Sequence, residues 1–206
     1  PLKFGITANP HIPTALESAS RIVKLLEPHH EVFLETEVAR ELGKQGQPLA
    51  HMKVDVLLAI GGDGTILRAL QLNDAKLLGV NSGSLGFLAE VYDTEVEPLL
   101  ERVVKGDYRV EERLRLKVQL NGQRFFDCTN EVVVHTAQIA KIRPFEIRVD
   151  DALVERVQAD GIILATPTGS LPGGDLHRWS AKAGPIAAAA RRCGPPKPCR
   201  AARDPH

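Results

Sequence analysis

The stretch Gly61-Gly62-Asp63-Gly64-Thr65 constrains this chain more than any other. It follows the apolar run Val54-Asp55-Val56-Leu57-Leu58-Ala59-Ile60 and precedes Ile66-Leu67-Arg68-Ala69-Leu70. The run predicts a strand buried on both faces, and the segment after it has helical spacing. The glycines therefore form a tight strand-to-helix turn. Glycine tolerates positive φ and lets another molecule approach the main chain, while the helix start offers unpaired N–H groups to an anion. A phosphate fits such a site. Asp63 would repel that phosphate, so its carboxylate reads as a base, a partner for a sugar hydroxyl, or a metal contact. The plainer alternative is a glycine-rich turn with Asp63 as helix N-cap.

The flanking segments predict what this turn is set in. Leu2 to Thr7 reads as an opening strand, and Asn9-Pro10 as the turn after it. A helix starts at Pro13-Thr14, with Ala15, Ala19, Ile22, Val23 and Leu26 at helical spacing, and Pro28 stops it. Glu31 to Thr36 and Lys76 to Asn81 read as further strands. Strand–helix alternation of this kind predicts a parallel sheet with crossover helices. Ligands of such sheets bind beyond the carboxyl ends of the strands, where Gly61 to Thr65 and Asn81 to Phe87 both fall. In the second loop, Phe87 is either core packing or a ring offered to a flat base.

From Tyr108 onward the pattern turns to strands and tight turns, with Asn121-Gly122 a hairpin signal and Asp150-Asp151 another turn. Glu131 to Val134, Phe145 to Val149 and Gly161 to Ala165 read as strands. The change of period places a domain boundary near Gly106, giving an α/β domain over 1–106 and a β-rich domain over 107–206. Two polar sites stand out in the second domain. Asn130-Glu131 sits at a strand end, as a plain polar pair or as a holder of sugar hydroxyls. The strand after Asp160 ends in Thr166-Pro167-Thr168-Gly169-Ser170, a turn dense in hydroxyls and free amides.

Composition narrows the partners. Lys plus Arg and Asp plus Glu are 26 each, so no net field draws the chain to nucleic acid or to an anionic membrane. No apolar run is long enough to span a bilayer, and no charged-then-apolar leader follows Pro1. Cys128, Cys193 and Cys199 are odd in number and match no zinc spacing, which predicts free thiols and a cytoplasmic address.

Taken together and in order, the Gly61–Thr65 turn, Asn81 to Glu90, Thr129 to His135 and Ala159 to Ser170 resemble the NAD kinase family. The glycine turn alone is shared with diacylglycerol kinases, sphingosine kinases and phosphofructokinases; the combination is narrower. The resemblance implies a Rossmann-like parallel-sheet domain followed by a β-rich, sandwich-like domain, with NAD between them, in homodimers or homotetramers. It implies transfer of a phosphoryl group from ATP or polyphosphate to the 2′-hydroxyl of NAD's adenosine ribose. Asp63 would then be the base or orienting acceptor for that hydroxyl, and Gly62, Gly64 and Thr65 would lie against the phosphates. Phe87 would pack on adenine, Asn130 and Glu131 would hold ribose and adenine edges, and Thr168 and Ser170 would border adenine. Asp160 would contact the other nucleoside, often across a subunit boundary. A magnesium ion would be held mainly by non-protein ligands, so no protein metal ligand is assigned.

After Ser170 the pattern breaks. The family continues with Thr-Ala-Tyr, whereas this chain reads Leu171-Pro172-Gly173-Gly174. Ser180-Ala181 and Gly184-Pro185-Ile186 echo a later family motif, displaced by a few residues. Beyond Ile186 the sequence is rich in Ala, Arg, Pro, Gly and Cys; Ala187 to Arg192 suggests at most one helical turn. The expectation is an aberrant or incomplete end, as an out-of-frame or wrongly assigned stretch would give. Two other functions compete: a lipid or sugar kinase with the same glycine turn, and a non-catalytic nucleotide-binding homologue.

Overall fold

The computed structural model describes residues 1–83, 88–89, 91–138, 141–169, 187–192 and 200–202. The chain divides into two compact units, Pro1–Glu111 and Glu112–His206.

The first unit is a parallel six-stranded sheet with helices on both faces, a Rossmann-like architecture. In chain order it runs β1 (Lys3–Ala8), α1 (Pro13–Leu26), β2 (Glu31–Glu35), α2 (Thr36–Glu41), β3 (Gly46–Gln47), β4 (Val56–Gly61), α3 (Asp63–Leu72), β5 (Lys76–Asn81), β6 (Val91–Tyr92) and α4 (Val96–Val104). The strand order is β3-β2-β1-β4-β5-β6, and the ladders between neighbours are parallel throughout. Strand β4 is buried along its whole length, and its alternating side chains serve two cores. Val56, Leu58 and Ile60 join Phe4, Ile6, Ile22 and Val96 under α1 and α4, while Leu57 and Ala59 join Ile66 and Ala69 of α3. Proline occupies the first turn of α1, where its missing N–H is not needed.

The second unit is antiparallel and strand-rich. A four-stranded sheet has the order β14-β13-β12-β9, built from β9 (Glu131–His135), β12 (Gly161–Ala165), β13 (Ala187–Arg192) and β14 (Arg200–Ala202). A hairpin of β10 (Arg143–Val149) and β11 (Ala152–Ala159) turns at Asp150 and Asp151, both at positive φ. The Asn121-Gly122 turn also has positive φ at both positions. The strands it joins, β7 (Gln119–Leu120) and β8 (Gln123–Arg124), are shorter than the alternation from Arg115 predicts. Ala187 to Arg192 corrects the sequence reading, because it is a strand paired along its length with β12 rather than a helical turn. Alanine's helix preference is worth less than the ladder β12 offers. Among the described residues no helix is long and apolar enough to cross a membrane.

Candidate functional site

The glycine turn sits where the sheet changes direction. Strands β1 and β4 are neighbours, and the chain winds outward from them both ways, so their carboxyl ends frame the crevice in which doubly wound sheets bind ligands. The Asn9 N–H donates to the Ile60 carbonyl at 3.0 Å, fixing the β1 exit against the turn. Gly61 has φ 153°, and a Cβ there would lie 2.5 Å from Thr65 Oγ1. No other residue fits that position without strain.

Gly62 and Gly64 differ from Gly61. A Cβ on either would meet nothing within 4 Å, so internal packing does not require glycine. Within a helix, as at Gly64, glycine costs about 0.5–1 kcal/mol relative to alanine, and the return for it is a main chain approachable from outside. Gly62, not Asp63, is the N-cap of α3, and its carbonyl accepts from Thr65 N–H at 3.0 Å and Ile66 N–H at 3.3 Å. Asp63 is the first helical residue. Its Oδ1 accepts the Leu88 N–H at 3.0 Å, which joins this turn to the loop after β5. The carboxylate is thus oriented by a neighbouring loop. Thr65 is half-buried directly under Gly61.

The adjacent strand end supplies donors. The ladder places Asn81 opposite Gly61. Asn81 is 4% exposed, and its Oδ1 accepts the Gly83 N–H at 3.0 Å. Its Nδ2, and Ser82 Oγ beside it, are buried with no hydrogen-bond partner among the described residues. Phe87 lies outside the described residues. The sequence places Asn81 to Phe87 where ligands of such sheets bind but assigns Asn81 and Ser82 no role; their buried, unmatched polar atoms are visible only in the structure.

In the second unit the main chain folds the predicted polar residues together. Thr166 N–H donates to the Asn130 carbonyl at 2.8 Å, and Thr166 Oγ1 donates to the Thr129 carbonyl. Thr166 Oγ1 also accepts Thr168 N–H at 3.1 Å, and Gly169 N–H donates to the Thr166 carbonyl at 3.0 Å. A Cβ on Gly169 would lie 2.8 Å from the Asn130 carbonyl oxygen, so the turn closes onto the strand start because position 169 has no side chain. Asn130, Glu131 and Thr168 therefore share one corner. Asn130 Oδ1 and Glu131 Oε2 are buried there with no hydrogen-bond partner among the described residues. A buried polar atom left unmatched costs about 1–3 kcal/mol, which a ligand's donors would offset.

Asp160 is not part of that corner. It precedes Gly161, which pairs with His135, whereas the corner lies past Ala165, which pairs with Glu131. At about 3.3 Å per residue the two ends of β12 are about 13 Å apart. Ser170 lies outside the described residues. Cys128, beside the corner, has its thiol pKa raised by burial and then by the Asp127 and Glu131 carboxylates, which suppresses thiolate chemistry. Among the described residues no group of three or more His, Cys, Asp or Glu side chains could hold a metal ion.

A carboxylate on a glycine turn at the switch point of a doubly wound sheet, with a β-rich unit after it in the chain, defines a Rossmann-like α/β protein. Residues 4–108 match the ATP-NAD kinase N-terminal domain and residues 129–171 the ATP-NAD kinase C-terminal domain, so the chain belongs to the NAD kinase family. It is 45% identical over 152 residues to an NAD kinase of Thermoplasma volcanium, covering 74% of this chain and 56% of that protein. It is 42% identical over 176 residues to an NAD kinase of Methanothermobacter thermautotrophicus, covering 82% of this chain and 62% of the relative. The chain thus spans somewhat over half the length of these curated relatives. The fold is similar to that of yeast NADH kinase complexed with NADH, with a TM-score of 0.76 at 22% identity over 97% of this chain and 69% of that one. It is also similar to an NAD kinase from Archaeoglobus fulgidus in complex with ATP, with a TM-score of 0.59 at 23% identity over 97% and 76%.

Proposed function

We propose that this chain transfers a phosphoryl group from ATP or polyphosphate to the 2′-hydroxyl of NAD's adenosine ribose, giving NADP. The observation that carries the reading is the pair of buried acceptors Asn130 Oδ1 and Glu131 Oε2, unmatched among the described residues. Two acceptors at one corner suit a ligand bearing adjacent donors, as ribose hydroxyls or an adenine amine do and a lipid chain does not. Family membership and the ATP and NADH named for the structural neighbours support the same reading.

The residues of the chain take these roles. The first-turn amides of α3, bared by Gly62 and Gly64, hold phosphate oxygens, and Asn81 Nδ2 and Ser82 Oγ add donors beside them. Thr65 keeps Gly61 in its turn conformation. Asp63, held by Leu88 N–H, accepts the hydroxyl proton as the ribose oxygen bonds to phosphorus and the phosphorus–oxygen bond to the donor breaks. Asn130 and Glu131 grip the nucleoside, with Thr168 and Ser170 beside them; Phe87 packs on adenine, and Asp160 contacts the other nucleoside. Magnesium would enter with the nucleotide phosphates and be held mainly by non-protein ligands. We further infer a cytoplasmic homodimer or homotetramer; exposed Val133, Val134, Leu153 and Val154 support a partner surface.

The test is NADP formation from NAD with ATP or polyphosphate, run beside melting curves with and without NAD. A ligand that binds the folded state alone raises Tm. A rise in Tm with NADP formed is expected. A rise without NADP supports the non-catalytic homologue, and neither response overturns the reading.

A further inference from the structure

Helix α3 carries a second carboxylate contact that the reaction scheme does not use. Glu35 ends β2 and is 4% exposed, an unusual place for an acid. Its Oε2 accepts from Thr7 Oγ1 of β1, itself fully buried, and from Arg68 Nη1 at 3.0 Å. Its Oε1 accepts from Arg68 Nη2. The guanidinium thus takes both oxygens in a fork, a geometry with strong directional preference, and Glu35 raises the Arg68 pKa through that hydrogen bond. The tie crosses from α3 over β1 to β2, spanning 33 residues of sequence.

The rest of α3 shows what such a tie could fix. Its far end is held by Asn73, whose Nδ2 donates to the Leu49 and Met52 carbonyls at 2.8 and 2.9 Å. Its near end meets the neighbouring loop through the Asp63–Leu88 hydrogen bond. Arg68 lies between them, five residues past Asp63. Apolar packing through Ile66 and Ala69 resists separation from the sheet but is poorly directional, so it sets axial position and rotation less tightly than a forked ion pair.

We propose that Arg68, locked by Glu35 and Thr7, is a positioning residue that fixes where α3 presents Asp63 and its first-turn amides. The inference deepens the proposed function and rests on it for its kinetic arm. Its structural arm stands without it.

The informative protein is the double variant Arg68→Met/Glu35→Gln, because removing Arg68 alone strands a buried carboxylate and can unfold the unit. In the full chain, amide hydrogen exchange is read at Ile66, whose N–H bonds Gly62, at Leu88, whose N–H bonds Asp63, and at Asn73, whose N–H bonds Ala69. The expected result is exchange about 10-fold faster at Ile66 and Leu88 with Asn73 unchanged. Where the parent makes NADP, kcat falls by about 10- to 100-fold while KM for NAD moves little, and this persists where Tm is close to that of the parent. Unchanged exchange at Ile66 and Leu88, or equal change at all three amides, overturns the proposal. So does full kcat in a double variant of normal stability. A parent that makes no NADP counts against the function alone, since the exchange arm still decides the positioning role.

Discussion

Strands β4 and β9 are both apolar runs, yet they live in different surroundings. Val56 to Gly61 is buried throughout, with Leu57 and Leu58 at 0% exposure on opposite faces. In Glu131 to His135, Val133 and Val134 are 54% and 47% exposed although they too face opposite ways. Each strand adjoins polar residues of the proposed site. The glycine turn leaves a closed two-sided core, whereas the Asn130-Glu131 corner is held mainly by hydrogen bonds from the Thr166 turn to Thr129 and Asn130. Packing locates the first group of residues, and main-chain geometry locates the second.

The strongest blow to that contrast falls on the chemistry. Asp63→Asn keeps the shape and the acceptor for Leu88 N–H but removes the charge. NADP turnover is expected to fall about 10²- to 10⁴-fold with NAD affinity mostly kept, and turnover near that of the parent would remove Asp63 from its role. Next comes packing. Leu58→Ala should cost about 2–5 kcal/mol in a denaturant titration, while Leu120→Ala, at a 60% exposed site, should stay within about 0.5 kcal/mol. Similar losses at both would erase the distinction between the units.

Two finer substitutions sharpen it. Gly61→Ala should lower stability by about 1–3 kcal/mol through its φ and the Thr65 clash; Gly64→Ala, inside the helix, should hold or slightly raise melting and weaken ATP binding. Glu131→Gln should weaken NAD binding about 10-fold while Tm holds or rises, because a buried unmatched carboxylate oxygen is gone. A fall in Tm with affinity intact would make Glu131 structural. The smallest effect is expected at His30, whose pKa is lowered chiefly by burial, with His29 contributing. The unfolded chain then binds the proton more readily, so stability present above the ordinary histidine pKa is lost as pH falls below it. Melting between pH 7 and pH 5 should therefore drop less in His30→Phe than in the parent.

The sequence made the first unit legible wherever local pattern and long-range packing agreed. The run before Gly61, the helical spacing from Ala15 to Leu26 and the stop at Pro28 are local signals, and their elements lie where those signals place them. The Thr7–Glu35–Arg68 tie was not legible, because its members are 28 and 33 residues apart and each looks unremarkable alone. Ala187 to Arg192 misled for the opposite reason, since a local alanine preference was overridden by pairing with β12. Asn130, Glu131 and the Thr166 turn could be singled out from residue type, but their convergence depends on Gly169 lying flat against Asn130.

The Asp63–Leu88 contact has an evolutionary corollary. Because the donor is a peptide N–H, the identity of residue 88 is irrelevant to the link so long as its side chain still fills the apolar space beneath α3. Isoleucine or methionine could drift in there silently, whereas proline would delete the donor and break the link between loop and turn in one step.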